Sequence, residues 1–411
     1  MRWFRGAPRL VAAGIVGFAL GGLLTLSLQS AGQTVAGTGG TGGGGGETQG
    51  HPPATGAAPA TSPEPPETFL AWTPGGLPDG FRQAVRTLPG IERSVVVASG
   101  LAWMTRSFSA DGTQVDAPPH GLAIPVEVAA VDPREYSPFL PPSDRGVSLS
   151  LSDGQGVMGQ MSADVRGFGA GGEFDFGPAA ITVAAVLPDG LVGANELLVS
   201  RRVAATLGIA ENRYALLQPR SGMTEAELTA EIRTIIPKDL PLRVRAPGET
   251  PYFRQGDAVL APVRIKQLFG EFAAHPLPGG QLAIDPAWES RHIATESVPI
   301  LGDVHCNRAL FPQLRGALRE VVRSGLAHLI KPNEYGGCFG PRFANRDPAQ
   351  GISHHAWGIA IDLDVAENLY GHTPTMDPRI VAIFKRWGFN WGGDFLIPDG
   401  MHFEFARFVH P

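Results

Sequence analysis

The chain has 411 residues, enough for two ordinary cores and an extended tail. At 43% hydrophobic and 18% charged residues it is too apolar to be mostly disordered, and a formal net charge of −6 lacks the basic footprint that phosphate-backbone binding needs, so nucleic acid is not expected as a partner. Only two cysteines occur, Cys306 and Cys338, which excludes a disulfide-dense scaffold and a multi-cysteine metal site.

In chain order, Arg2, Arg5 and Arg9 precede an uncharged apolar run from Leu10 to Leu28. As a helix it would reach roughly 28 Å, about the thickness of a hydrocarbon core. Basic residues ahead of the run place the N-terminus inside and the rest of the chain outside. Residues 1–28 are therefore expected to be a cytoplasmic tip and a single transmembrane anchor, since a cleaved signal peptide has a shorter apolar region. Many of the 54 glycines and 37 prolines crowd into residues 29–67, where almost no large apolar residue could build a core. That segment reads as a flexible tether.

Residues 68–255 read as a mixed α+β domain. Ser94–Ala98, Leu122–Val131 and Ile181–Leu187 have the β-branched content of strands. Glu196–Gly208 and the stretch opening at Thr224 look helical, the second with Thr224 and Glu227 as a capping box. No His, Cys, Asp or Glu cluster converges there, so binding or spacing is the expected role. The segments LPGIERSVVV, VDPREYSPFL and ELLVSRRVAATLGI weakly resemble the extracytoplasmic core domain of FtsX and MacB transporters. Such a resemblance implies interaction with a protein partner and no catalysis.

A connector is expected over residues 256–280, and a last domain over 281–411. Its first clear helix runs from Ala309 to Ala327, with Leu310, Leu314, Ala317, Leu318, Val321, Val322 and Leu326 at helical spacing. A second opens at Asp377-Pro378, an N-cap followed by proline at the first helical position, and ends at Trp387-Gly388. Cys306 and Cys338 flank the first of these helices, and in an exported protein they are expected to pair.

Chemistry concentrates in SHHAWGIAIDLD, Ser353 to Asp364, and WGGDFLIPDGMHFEF, Trp391 to Phe405. A turn at Gly358 leading into a strand could return Asp362 to the side of His355. His402, on an alternating run, supplies a third donor. Two histidines and one aspartate match the three-ligand, open-position arrangement of catalytic zinc. Asp399, three residues before His402, could take a proton from a water there. Glu404 shares a face with His402 and could be the base or could orient the ligand ring. His354 neighbours the ligand position, but only His355 keeps the spacing to Gly358 and Asp362. Ser353 could reach substrate or cap the turn. His305, His328, His372 and His410 have no such context.

These two motifs resemble the VanY and VanX type D-alanyl-D-alanine carboxypeptidases and the related phage L-alanyl-D-glutamate endopeptidases, over residues 300 to 411. The resemblance implies His355, Asp362 and His402 as zinc ligands and Asp399 as base. It also implies an arginine ahead of the first motif that holds the substrate carboxylate or the developing oxyanion: Arg342, with Arg346 as the alternative. VanX and VanY members carry Glu at the base position, whereas Asp occurs in the endopeptidase branch, so both cleavage modes stay open. The expected architecture is α+β throughout: an anchor, an α+β extracytoplasmic domain, and a zinc peptidase domain with a small antiparallel sheet and flanking helices, acting on peptidoglycan peptides at the outer face of the cell membrane. The competing expectation is a catalytically inactive envelope scaffold.

Overall fold

Fourteen residues, Ile91–Met104, form the longest strand among the described residues and organise what surrounds it. The computed structural model describes residues 68–249 and 253–409. The expected anchor, Leu10–Leu28, and the tether over 29–67 lie outside the described residues, among which no helix is long and apolar enough to cross a membrane.

The long strand sits inside an eleven-stranded sheet. It pairs antiparallel with Asn212–Pro219 on one side and Ile124–Val131 on the other. Two pairs are parallel, Ile124–Val131 with Leu197–Ser200 and Gln155–Gly159 with Ala180–Leu187. Alternation along the long strand assigns its two faces. Val95 and Val97 enter a core with Trp72, Tyr136 and Phe139, while Val96 enters another with Phe81, Leu228 and Ile232. Further on, Ala98, Ala102 and Met104 face a third core, and Leu101 and Trp103 turn toward the C-terminal region.

Helix Glu225–Arg233 begins with the expected capping box. The helix expected over Glu196–Gly208 is corrected: Leu197–Ser200 is a strand, and only Arg201–Thr206 is helical, capped by the Ser200 hydroxyl. A continuous apolar run such as Leu197–Val199 fits either element, and here pairing between two neighbouring strands decides it.

In the C-terminal region a hairpin, Ile293–Val298 with Gly302–Asn307, precedes helix Phe311–Arg323. This helix is shorter than the expected Ala309–Ala327, and it buries Leu314, Ala317, Leu318 and Val321 but leaves Val322 in solvent. Helix Pro378–Arg386 starts at Asp377, whose carboxylate accepts from Arg379 N at 2.8 Å. Its Phe384 lies 4.5 Å from the Phe403 ring, beneath a three-stranded antiparallel sheet in the order Ala360–Asp362, His402–Phe405, Phe389–Trp391. The overall architecture is thus mixed α+β.

Helix Pro262–Phe269 joins the two regions through buried charge. Glu196 receives Arg166 at 2.6 Å and Lys266 at 2.7 Å, and Glu271 receives the same two cations at 2.7 and 2.8 Å. Burial alone would raise the Glu271 carboxyl, but Arg166 and Lys266 hold it at about 2. Because each buried charge has a partner, loss of any one would leave its neighbours uncompensated, a cost of about 3–5 kcal/mol. Cys306 and Cys338 form the expected disulfide.

Candidate metal centre

Strand register creates the first half of the site. Asp362 and His402 stand directly opposite each other on adjacent antiparallel strands, so their side chains leave the same face. His355 arrives from the one-turn helix His354–Trp357, after which Gly358 takes φ 65° and reverses the chain into the Asp362 strand. A Cβ at Gly358 would meet Asn307 N at 2.7 Å, so a side chain is excluded there by contact as well as by backbone conformation. His355 Nε2 and His402 Nδ1 each approach Asp362 Oδ1, at 3.2 and 3.1 Å, and lie 3.3 Å from each other.

The outer ring nitrogens explain what these inner atoms are. His355 Nδ1 lies 2.8 Å from the Cys338 carbonyl, and His402 Nε2 lies 3.4 Å from Glu404 Oε2. Each outer nitrogen faces an acceptor and so carries the hydrogen, which leaves both inner nitrogens with lone pairs directed at one carboxylate oxygen. Three convergent lone-pair donors need a cation between them. The donor atoms of His355, Asp362 and His402 lie within 4.8 Å of one another, and the group could hold a metal ion. With a proton in that place, burial disfavours charge on His402, but Asp362 and Glu404 outweigh it and raise the ring to about 10. Burial would raise the Asp362 carboxyl, but the imidazoles of His355 and His402 beside it, His402 carrying the proton in place of a cation, hold it well below the ordinary carboxylate range. Burial lowers His355.

Glu404 is fully enclosed. Burial would raise it, yet His354 and His402 beside it hold it well below the usual range. His354 Nδ1 is 2.7 Å from Glu404 Oε2, off the line of a hydrogen bond but within ion-pair reach. Asp399 behaves in the opposite way. Its Oδ1 is buried without a hydrogen-bond partner, and burial, reinforced by the charge of Asp362, lifts its carboxyl to about 6 despite His402 and Arg342. The turn that carries it is tied by Asp399 N to Gly392 O at 2.8 Å and His402 N to Asp399 O at 3.1 Å. Arg342 Nη2 stands 4.0 Å from Asp362 Oδ2, half-buried at the rim, whereas Arg346 lies against the Gln281 side-chain amide. Ser353 caps the His354–Trp357 turn through His355 N at 3.4 Å. Asp364 and Asp394 are engaged elsewhere, with Lys331 N and Lys385.

All seven residues singled out from the sequence, Ser353, His355, Asp362, His402, Asp399, Arg342 and Glu404, line one cavity of about 770 Å³. Sequence reasoning missed the Cys338 carbonyl, a backbone group that no residue pattern announces, and, having set His354 aside as a ligand, did not foresee its place beside Glu404, which depends on strand register. It also missed Ser99, Leu101, Gln255 and Ala258, which line the same cavity.

The segment bearing these donors, residues 346–405, matches a family model described as D-alanyl-D-alanine carboxypeptidase. This segment is thus similar to a peptidase family, and its donor set could hold a metal ion. Among solved structures, the periplasmic region of MacB from Actinobacillus actinomycetemcomitans is similar at 9% identity and TM-score 0.30, over 44% of this chain and 88% of that one. The extracellular domain of the noncanonic ABC-type transporter YknZ from Gram-positive bacteria is similar at 13% identity and TM-score 0.27, over 41% of this chain and 92% of that one. These belong to the transporter class that the middle segment resembles, at a similarity too low to assign fold or function. No curated protein matches the chain.

Proposed function

We propose that the chain is a zinc-dependent peptidase that hydrolyses D-amino-acid-containing stem peptides of peptidoglycan, in the manner of a D-alanyl-D-alanine carboxypeptidase. The observation that carries this reading is the convergence of two imidazole lone pairs and one carboxylate oxygen, with both outer ring nitrogens already engaged. Three protein donors that leave a position open suit catalytic zinc. Bound zinc would supply Lewis acidity toward the scissile carbonyl and the attacking water.

The chain's own groups do the rest. Asp399, with a carboxyl near the working pH, takes the proton as the C–O bond forms and delivers it to the leaving amine as the C–N bond breaks. Arg342 holds the substrate carboxylate or the oxyanion through its fixed fork of donors. Glu404 and the Cys338 carbonyl keep His402 and His355 in the tautomer that ligation requires. The disulfide suits an oxidising compartment outside the cytoplasm, where the anchor Leu10–Leu28 would hold the protein at the cell membrane.

The test is mass spectrometry of L-Ala-γ-D-Glu-L-Lys-D-Ala-D-Ala incubated with the zinc-loaded full chain. Loss of one alanine marks a carboxypeptidase and an internal cut marks an L-alanyl-D-glutamate-type endopeptidase. Chelation is expected to abolish cleavage, zinc to restore it, and His402→Ala to lose the metal. Cleavage that survives complete metal removal would refute the reading. Zinc bound without cleavage of any wall peptide would favour the inactive scaffold.

A further inference from the structure

One short segment links the disulfide to the metal donors. Residues 336–342 run beside two of the three donors without belonging to a helix or to a strand of more than isolated bridges. Gly336 N donates to Asp362 O at 2.9 Å, and Asp362 N donates to Gly337 O at 3.0 Å. The Cys338 carbonyl faces His355 Nδ1 at 2.8 Å, Gly340 N donates to His355 O at 2.9 Å, and the segment ends on Arg342. We infer that the Cys306–Cys338 bridge is a positioning element of the metal centre: it holds this segment against His355 and Asp362, and breaking it lowers the affinity for zinc. This rests on the zinc reading of the same donors.

The bridge closes a ring of contacts around His355. Cys306 lies near the end of strand Gly302–Asn307, opposite Ala294 in the hairpin, so a hydrogen-bonded ladder fixes its place. The next residue, Asn307, donates its backbone N–H to Gly358 O at 2.9 Å and its side-chain amide to Trp357 O at 3.0 Å, and so holds the turn that follows His355. The Cys306 sulfur reaches Cys338, whose carbonyl takes the other side of His355, at the ring. The strand end therefore positions this ligand twice, through its turn and through its imidazole. The segment's other ties to the same strand are noncovalent: Phe339 N to His305 O at 2.9 Å and the His305–Phe339 ring contact at 5.4 Å. Its composition makes the covalent tie matter. A Cβ at Gly336 would lie 2.9 Å from the Asp362 Cβ, and Gly337 takes φ 115°, so the close passage beside the donor demands glycine. Glycine also gives an untethered segment the most conformational freedom, and that freedom opposes the placement of the Cys338 carbonyl. Groups that orient a ligating histidine in this way are worth roughly 10–100-fold in metal affinity.

The test titrates zinc alone into the full chain in three forms: bridged, reduced by a water-soluble phosphine that is then removed without air, and Cys306→Ala with Cys338→Ala. In the reduction the phosphine takes the oxygen of one water and gives two electrons to the S–S bond, and the two protons end on the sulfurs of Cys306 and Cys338. Both unbridged forms are expected to bind zinc about tenfold more weakly or worse. In the metal-free protein at neutral pH, nitrogen-15 spectra are expected to show the His355 hydrogen on Nδ1 with the bridge, and divided between the two ring nitrogens without it. Leu318→Ala, which opens space under the fully buried face of helix Phe311–Arg323, serves as a variant of lowered melting temperature that leaves the bridge intact, and it should change neither reading. Equal or tighter zinc binding without the bridge, a His355 ring unaffected by its loss, or the same loss of affinity in Leu318→Ala would overturn the inference. No zinc binding by the bridged chain would sink it together with the zinc reading. Bridge-dependent zinc binding by a chain that cleaves no wall peptide would leave it standing and remove the peptidase reading instead.

Discussion

Asp399→Asn is expected to stabilise the metal-free protein above pH 6 while disabling turnover. The carboxyl is raised from 3.8 to about 6, chiefly by burial, so the folded state disfavours the ionised form. At 1.36 kcal/mol per pH unit this sets a ceiling of about 3 kcal/mol on the cost of ionisation. Asp399 is only partly buried, and screening by solvent brings the expected figure to roughly 1–2 kcal/mol. The sign follows from linkage. Below 3.8 the group is protonated in both folded and unfolded states and costs nothing; the cost grows as pH rises from 3.8 to about 6 and is complete above that. Asparagine carries no charge at any of these values, so its advantage should be absent near pH 3.5 and full near pH 8. Urea unfolding of both metal-free proteins at the two pH values, with unchanged slope, measures it. An equal difference at both pH values, or destabilisation near pH 8, would refute burial as the origin of the raised carboxyl. In the zinc-loaded protein the same substitution should keep the metal and lower turnover by roughly 10²-fold. Near-normal turnover, together with its loss in Glu404→Gln, would move the base to Glu404.

Because His402 without metal is raised to about 10, zinc binding at neutral pH must displace its proton, and calorimetry in buffers of different ionisation enthalpy should find about one proton released per zinc. No release near pH 7.5 would remove His402 from the ligand set. The Cys306–Cys338 bridge closes a separation of 32 residues, for which loop closure gives about 3.7 kcal/mol, so the double Cys→Ala variant should lose on that order in urea unfolding. Gly358→Ala places a Cβ at φ 65° against Asn307 N, and a loss of about 1–3 kcal/mol with weakened zinc affinity is expected; an unchanged melting temperature and affinity would contradict the steric reading of that turn.

What the sequence determined by itself is local. Thr224 with Glu227 and Asp377 with Pro378 announce helix starts because caps act on backbone groups within one turn. The spacing from His355 through Gly358 to Asp362 announces a reversal because only glycine enters that conformation without cost. Longer-range matters were decided by tertiary structure. Leu197–Ser200 became a strand because two neighbours pair with it, although its own residues fit a helix as well. Val322 lost its place in the core to the direction in which the helix docks. Only strand register set Glu404 against His402 and His354 in a fully enclosed position and left Asp399 with an unpartnered oxygen in the cavity. Ser99 and Leu101, distant from the donors in sequence, line that cavity because a sheet face and a buried ion network bring the long strand to it. Caps and turns are written into neighbouring residues, whereas register, burial and the partner of a backbone carbonyl exist only once distant segments have packed.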